Sequence, residues 1–547
     1  MKKIIAGTLG NCVHVAGIMN YLNLAEKESY DTDFIGIGKS VDEIIMLINE
    51  KKPNIVALSY RLTPEPLHKI LEELKDKINK NSVKNIIWLF GGTEPTALVA
   101  KEWGIFDKIF DGTEDIDEVI AYLKGKNYSG EESYPRELIS RIKSKYPYPI
   151  LRHHLGLPTI EETVEAIEKV AEARVIDIIS VAPDQNAQEF FFDQENMDER
   201  LNGAGGVPLR SKEDFRKLYK AAERGNFPLL RSYSGTKNIV QFAEVLKESI
   251  DNAWCAVPLF WYSELDKRGP RTLLDAIREN QLVMKWHGER NIPVEVNDPH
   301  HWGLRDAHDA IGVAVAYIAA YNAKKMGVKD YIAQYMFNVP ASISPEMDLG
   351  KMLAKIELVE SLIDENFKVY RQARAGLASF PANLYQAKGQ LAASAYLAMS
   401  IKPHIYHVVG FCEAHHAARS EDIIESAMIV RGILKNEFLG SVDMTKDKNV
   451  VERKNALIED AKIIIESIKS LNLNLENPLT DPETLTEAVR IGILDAPHLQ
   501  GSQIAKGQLK TRMVSGGLYA YDEKQKKIIT EKERINLLLK EAGYLQI

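Results

Sequence analysis

Two groups of residues in this chain have types and spacings that could do chemistry. The first is Gly10-Asn11-Cys12-Val13-His14-Val15-Ala16-Gly17, between the apolar segment KKIIAG and a helix-like stretch. In an open parallel sheet this is a ligand-facing edge, and the His14 imidazole could offer a nitrogen to a metal held above the sheet. Ser59 ends the third apolar segment and Gly91-Gly92 the fourth. Small residues at neighbouring strand ends leave a slot that a polar tail could enter. Taken singly, His14 reads as a helix-start histidine and the glycines as ordinary turns. The second group is a pair of arginines at strand ends, Arg152 in ILRHHLGLP and Arg231 in NFPLLRSYSGTKN. A planar guanidinium suits bidentate carboxylate binding, and two would fix orientation as well as charge. The competing use is a salt bridge at a barrel rim.

Other polar clusters weigh less. Asp298-Pro299-His300-His301 and His415-His416 carry zinc- or iron-ligand types, but adjacent histidines point in different directions. His300 or Trp302 lining a mouth is the preferred reading there. Asp306, His308 and Asp309 read as a solvated or capping face. Cys412 beside Glu413 is either near a cofactor or a small core residue. Gly203-Ala204-Gly205-Gly206 lacks the lysine and hydroxyl residue of a phosphate loop.

Elements to position these residues are legible along 547 residues. KKIIAG, DFIGIG, NIVALSY, NIIWLF and DKIFDG alternate with helical stretches, as in a parallel sheet covered on both faces. Residues 1–126 therefore suit a flavodoxin-like, doubly wound α/β domain. Residues 127–147, rich in Gly, Ser, Pro and charge, read as a linker. Over 148–474, VIDIISVAP, FPLLRSY, AWCAVPLFW, PVEVND, DYIAQYMFN, VYRQARAG and HIYHVVGF each precede a helical stretch, which fits a (β/α)8 TIM barrel with its site at the strand C-termini. Residues 475–547 read as a partly irregular extension. A net charge of −8 disfavours a nucleic-acid partner. No apolar run reaches membrane length, and three scattered cysteines make no disulfide framework or zinc set. A cytoplasmic protein is expected.

Together, Cys12-Val13-His14-Val15-Ala16-Gly17, Ser59-Tyr60-Arg61-Leu62 and Gly91-Gly92 resemble the cobalamin-binding domain of B12-dependent mutases and methionine synthase. The resemblance implies that His14 is the lower cobalt ligand and that Gly17, Ser59, Gly91 and Gly92 line the nucleotide-tail slot. Cys12 stands where the family has an aspartate that orients the histidine, so ligand basicity could differ. Arg61 stands where a leucine is usual and could contact a phosphate, a propionate or a surface carboxylate. The rest of the chain resembles the catalytic subunit of glutamate mutase in GVPLRSKEDFRKLYKA, SFPANLYQAKGQ, HVVGFCEAHH and GILDAPHLQGSQIAKGQLKTR. That likeness implies that Arg152 and Arg231 are two arginines of a three-membered carboxylate claw, with Gln188 in the third place. It implies Tyr262 as an active-site tyrosine and Glu413 as the ribose-binding carboxylate. The family's ammonium-binding glutamate falls near Cys255 or Ala256 and is absent there. Its ribose-binding lysine is Val409.

The resemblance implies an adenosylcobalamin-dependent radical isomerase, a carbon-skeleton mutase acting on a small carboxylic or amino acid other than glutamate, and a homodimer. A corrinoid-dependent methyltransferase and a non-catalytic cobalamin-binding protein are the alternatives. The barrel lacks an evident thiolate set for zinc-activated methyl transfer.

Overall fold

The five N-terminal apolar segments form β1 (Lys3–Leu9), β2 (Asp31–Lys39), β3 (Ile55–Tyr60), β4 (Ile87–Gly92) and β5 (Lys108–Phe110). They pair in parallel in the order β2-β1-β3-β4-β5. Successive residues of β1 feed opposite faces. Ile5 packs with Ile44, Ile48, Leu67 and Leu71, under the helices Val41–Lys51 and Pro64–Lys80. Ile4 and Ala6 pack with Ile18, Leu22 and Leu123, under the helices Ala16–Lys27 and Ile116–Leu123. This period-two alternation between two apolar layers is what makes the sheet doubly wound. The computed structural model describes residues 2–81, 85–114, 116–125, 134–233, 237–269 and 271–544. It divides into two units, Met1–Glu132 and Ser133–Ile547.

The second unit is built on β6 (Ile150–Leu155), β7 (Ile178–Val181), β8 (Leu229–Arg231), β9 (Cys255–Val257), β10 (Val294–Val296), β11 (Asp330–Phe337), β12 (Lys368–Ala375) and β13 (Ile405–His407). All eight are parallel, in the order β8-β7-β6-β13-β12-β11-β10-β9. Strands β8 and β9, consecutive in the chain, are the two ends of this order. Ala253 N donates to Leu230 O at 2.9 Å and Ser232 N to Asn252 Oδ1 at 3.1 Å, which stitches the seam. The result is a nearly closed α/β barrel, as the strand–helix rhythm predicts.

Of the expected linker, residues 127–133 lie outside the described residues, and Leu138–Lys145 is a helix. Its Leu138 and Ile142 pack with Ile150, Ile178, Leu229, Ile332 and Ile405 at the N-terminal side of the barrel. Arg141 between them is fully buried, its Nη2 donating to Phe227 O at 3.0 Å and its Nη1 standing 3.5 Å from Asp177. This helix closes the N-terminal end of the barrel.

Residues 475–547 are more regular than expected. They form the helix Pro482–Arg490, an antiparallel sheet of β14 (Thr511–Val514), β15 (Gly517–Asp522) and β16 (Lys527–Ile528), and the helix Glu531–Glu541. Docking of this segment buries His308 and Asp309, which corrects the expectation of a solvated face. Asp309 accepts from Arg453 Nη2 at 2.7 Å and from Leu518 N at 3.1 Å. His308 Nε2 is 2.9 Å from Glu531 Oε1, and Arg534 Nη2 is 2.8 Å from Glu531 Oε2. Burial pushes the Glu531 carboxyl up, but Arg534 and His308 outweigh it and hold it well below the ordinary carboxylate range. A depressed folded value adds stability above the unfolded value, near ~4.3, and that stability drains away as pH falls toward the folded one. The urea midpoint of the wild type is therefore expected to exceed that of Glu531→Gln at neutral pH, with the gap closing as pH drops below about 4.3.

Candidate functional site

The β1–helix loop is tied down by its own polar groups. The Cys12 carbonyl accepts from Gly38 N at 3.2 Å and from the Thr8 hydroxyl. Cys12 is buried, and its Sγ lies 3.8 Å from His14 Nδ1 and 3.4 Å from the donating N–H of Arg61. His14 itself is exposed. With Nδ1 turned to the thiol, Nε2 is the nitrogen that faces outward. Cys12 thus stands within reach of the His14 ring, and its sulfur is a weaker acceptor than a carboxylate.

Beside this loop, a cavity of about 550 Å³ runs along the sheet edge. Gly17, Ser59, Arg61, Gly91 and Gly92 all line it, so the structure brings the expected slot residues together. Residues not anticipated from sequence complete the lining, among them Tyr21, Leu24, Phe110, Asp111 and Val119. A β-carbon on Gly17 or Gly91 would meet nothing within 4 Å, because both face the open slot. One on Gly92 would stand 2.3 Å from Thr96 Oγ1. Gly91 therefore keeps the slot open, whereas Gly92 is required by packing. The Tyr21 hydroxyl is buried on this wall and has no hydrogen-bond partner among the described residues. Such an unsatisfied group is suited to a polar ligand.

In the barrel, Arg152 projects from β6 into the lumen. Its Nε donates to Ser180 Oγ on β7 at 2.6 Å and its Nη1 to Gln372 Oε1 on β12 at 2.7 Å. Its Nη1 is also 3.5 Å from Glu295 Oε2 on β10. Only an inward-facing side chain reaches three such strands at once. Arg231 Nη1 is 3.8 Å from the same Glu295 oxygen, while its Nε and Nη1 make no hydrogen bond among the described residues. Trp254 Nε1 at 2.8 Å and Gln372 Nε2 at 3.1 Å also donate to Glu295 Oε2. Both expected arginines thus sit on an internal carboxylate, deep in the barrel rather than at its rim.

A third buried arginine belongs to this group. Arg374 follows Gln372 by two residues on β12, so both occupy the same strand face. Burial pulls its guanidinium down to about 10, against the favourable charges of Glu413 and Glu295. Burial also lowers Arg152, with further repulsion from Arg231. Gln188, expected in the third claw position, instead donates through Nε2 to Pro183 O at 2.8 Å, within its own turn. Glu295 is in register with Ala256. A carboxylate absent at 255–256 is therefore present one strand over.

Tyr262 is buried, its ring 3.9 Å from the Arg268 guanidinium carbon and 6.1 Å from the His301 ring. Burial, followed by the neighbouring Tyr233, pushes its phenol up to about 12, so it is a neutral donor or acceptor near neutral pH. Glu413 lies in the exposed loop after β13, its carboxyl raised by desolvation and opposed by Arg374. Asp298 accepts from Leu259 N and Phe260 N and clamps the loop after β9, and burial pushes it up to about 7. His300 Nδ1 lies 2.9 Å from Gln334 Nε2, which in turn is linked through its Oε1 to Gln372. Trp302 is fully buried in the core.

Residues 2–121 match the B12 binding domain family. No curated protein matches the chain. Among solved structures, a cobalamin-binding protein from Desulfitobacterium hafniense DCB-2 is 23% identical, with a TM-score of 0.20, over 22% of this chain and 56% of that one. This chain thus spans little more than half of that protein. The cobalamin-dependent S-adenosylmethionine radical enzyme OxsB, with aqua-cobalamin and S-adenosylmethionine bound, is 13% identical over 89% of this chain and 71% of that one, with a TM-score of 0.18. At such scores neither likeness carries an argument about mechanism. Among the described residues no helix is long and apolar enough to cross a membrane.

Proposed function

We propose, from the premise that the N-terminal unit is a B12-binding domain, that this chain is an adenosylcobalamin-dependent isomerase of the carbon-skeleton mutase type acting on a small anionic acid. The slot residues fit the cofactor. Gly17 and Gly91 leave room for its nucleotide tail, Ser59 and the Tyr21 hydroxyl supply polar contacts, and His14 Nε2 faces outward to bind cobalt. An adenosylcobalamin held there would supply the hydrogen-atom abstraction chemistry that such a rearrangement needs.

The observation that carries the substrate class is the charge of the barrel lumen. Arg152, Arg231 and Arg374 are all buried, and the carboxylates that face them are the buried Glu295 and, toward Arg374, the loop residue Glu413. Buried cations left without partners are costly, so this lumen is preorganised for an added anion. Arg231, whose Nε and Nη1 make no hydrogen bond among the described residues, has donors to offer carboxylate oxygens, and Arg374 adds its buried charge. Arg152 is already held by Ser180 and Gln372 and serves to set the cationic field. Tyr262, neutral and beside Arg268, shapes the pocket wall. The apolar cover at the N-terminal end keeps water out from that side, which radical chemistry requires.

The test uses the full chain loaded with cofactor carrying tritium on the cobalt-bound carbon. Incubation with a panel of small mono- and dicarboxylic acids and amino acids is expected to move tritium into one class of acid. Arg231→Met should abolish the transfer, and His14→Ala should change the absorption spectrum of the bound cofactor. Methyl transfer from methylcobalamin with no tritium exchange would replace this reading with that of a corrinoid methyltransferase. Binding with neither reaction would leave a cobalamin carrier.

A further inference from the structure

The loop between β13 and the helix Ser420–Leu439, together with the first turn of that helix, holds a side-chain cluster that the proposed isomerisation does not use. One donor atom each from Cys412, His416 and Asp422 lies within 4.8 Å of the others. The turn gathers them, since His415 N and His416 N both donate to Cys412 O, at 2.8 and 3.0 Å. His416 Nε2 is 3.2 Å from Asp422 Oδ2, the oxygen that also accepts from Arg419 N at 3.0 Å. Oδ1 of Asp422 is outside both contacts.

A second, independent observation comes from β6. His153 is 5% exposed, and its Nδ1 faces the carbonyl oxygen of His154. A carbonyl can only accept, so Nδ1 carries the proton and Nε2 the lone pair. That buried Nε2 has no hydrogen-bond partner among the described residues. It faces the cysteine loop: a β-carbon built on Gly410 would stand 3.2 Å from His153 Nε2 and 3.3 Å from Cys412 Sγ. An imidazole fixed through Nδ1 by a carbonyl, with Nε2 left open, has the arrangement typical of a metal-bound histidine.

We propose that Cys412, His416, Asp422 and His153 form a binding site for a divalent cation of the zinc class. One sulfur, two imidazoles and one carboxylate make a borderline-soft, four-donor set that suits tetrahedral zinc. Binding draws the donors to about 3.5 Å from one another, the edge set by zinc–ligand distances near ~2.1 Å. Four protein donors fill that shell, so the ion's work is to pin the loop that carries Glu413 onto β6. The absence of a cobalamin requirement separates this site from the reaction assigned to the lumen.

The experiment titrates the full chain, freed of metal by a chelator and prepared without cobalamin, with cobalt(II) chloride as a spectroscopic probe. One cobalt per chain is expected, with a sulfur-to-cobalt charge-transfer band and tetrahedral visible bands, displaced by stoichiometric zinc. Cys412→Ser should remove the charge-transfer band. His416→Ala and His153→Gln should each weaken binding at least about tenfold. Because His416 is exposed, its variant keeps the test informative even where replacing buried His153 disturbs folding, which circular dichroism reports. Absence of stoichiometric binding, or binding unchanged in Cys412→Ser or His416→Ala, would overturn the proposal and leave a hydrogen-bonded helix cap. No readout here depends on turnover, so failure of the isomerase reading leaves this result standing.

Discussion

Gly91→Leu is expected to weaken cobalamin binding strongly while the N-terminal domain stays folded. A β-carbon at Gly91 meets open space in the slot, so a side chain there grows into the volume that a bound nucleotide tail would take. Forcing a ligand past an overfilled site costs about 1–3 kcal/mol or more, which corresponds to at least about a 5- to 150-fold loss of affinity. Gly92→Ala makes the contrast: its β-carbon would collide with Thr96 Oγ1 and approach the Tyr60 carbonyl oxygen at 3.2 Å, so the melting temperature should fall. Absorbance titration with aquacobalamin, together with thermal melts, separates the two. Equal affinity in Gly91→Leu and wild type would mean that the nucleotide tail does not use this slot.

The second large effect concerns the lumen, where stability and binding are expected to respond to different side chains. Arg231→Met removes a buried cation whose Nε and Nη1 lack hydrogen bonds. Glu295 keeps Arg152, Trp254 and Gln372 as partners when Arg231 is removed, so this replacement is expected to cost far less stability than loss of the carboxylate itself. Glu295→Ala leaves Arg152 and Arg231 without their shared carboxylate and is expected to cost about 3–5 kcal/mol. Denaturant unfolding measures both. Binding, read as the thermal shift caused by a panel of small carboxylates, should disappear in Arg231→Met. If Arg231→Met is instead strongly destabilised, the arginine is a structural partner of Glu295 and the lumen is not a substrate site.

Much of the architecture was legible because it is local. Ile4, Ile5 and Ala6 alternate between two apolar layers, and that alternation is visible in KKIIAG itself. The slot was legible because its members, Gly17, Ser59 and Gly91, all stand at strand or helix ends whose order follows from the parallel topology. The lumen was read less well, since it depends on register between strands far apart in sequence. Glu295 lies beside Ala256 only because β10 and β9 pair in that register. Arg374 carried a usable signal, since it shares the inward face with Gln372 at a spacing of two, yet Gln188 took the third position in the sequence reading. The segment around Leu138 read as a linker from its composition, although Leu138 and Ile142, four apart, mark one face of a short helix. The hairpin of β14 and β15 turns at Ser515-Gly516, both with positive φ, a turn signal with little apolar patterning around it.

That short helix has a consequence for how the chain can be divided or rearranged. Leu138 and Ile142 cover a ring of apolar side chains contributed by five strands, Ile150, Ile178, Leu229, Ile332 and Ile405. Arg141 anchors the cover from within. Cutting the chain at residue 148, where the strand pattern resumes, would detach the cover from the vessel and open a greasy hole in its base. The natural seam for recombining this barrel with another cofactor carrier lies ahead of Leu138.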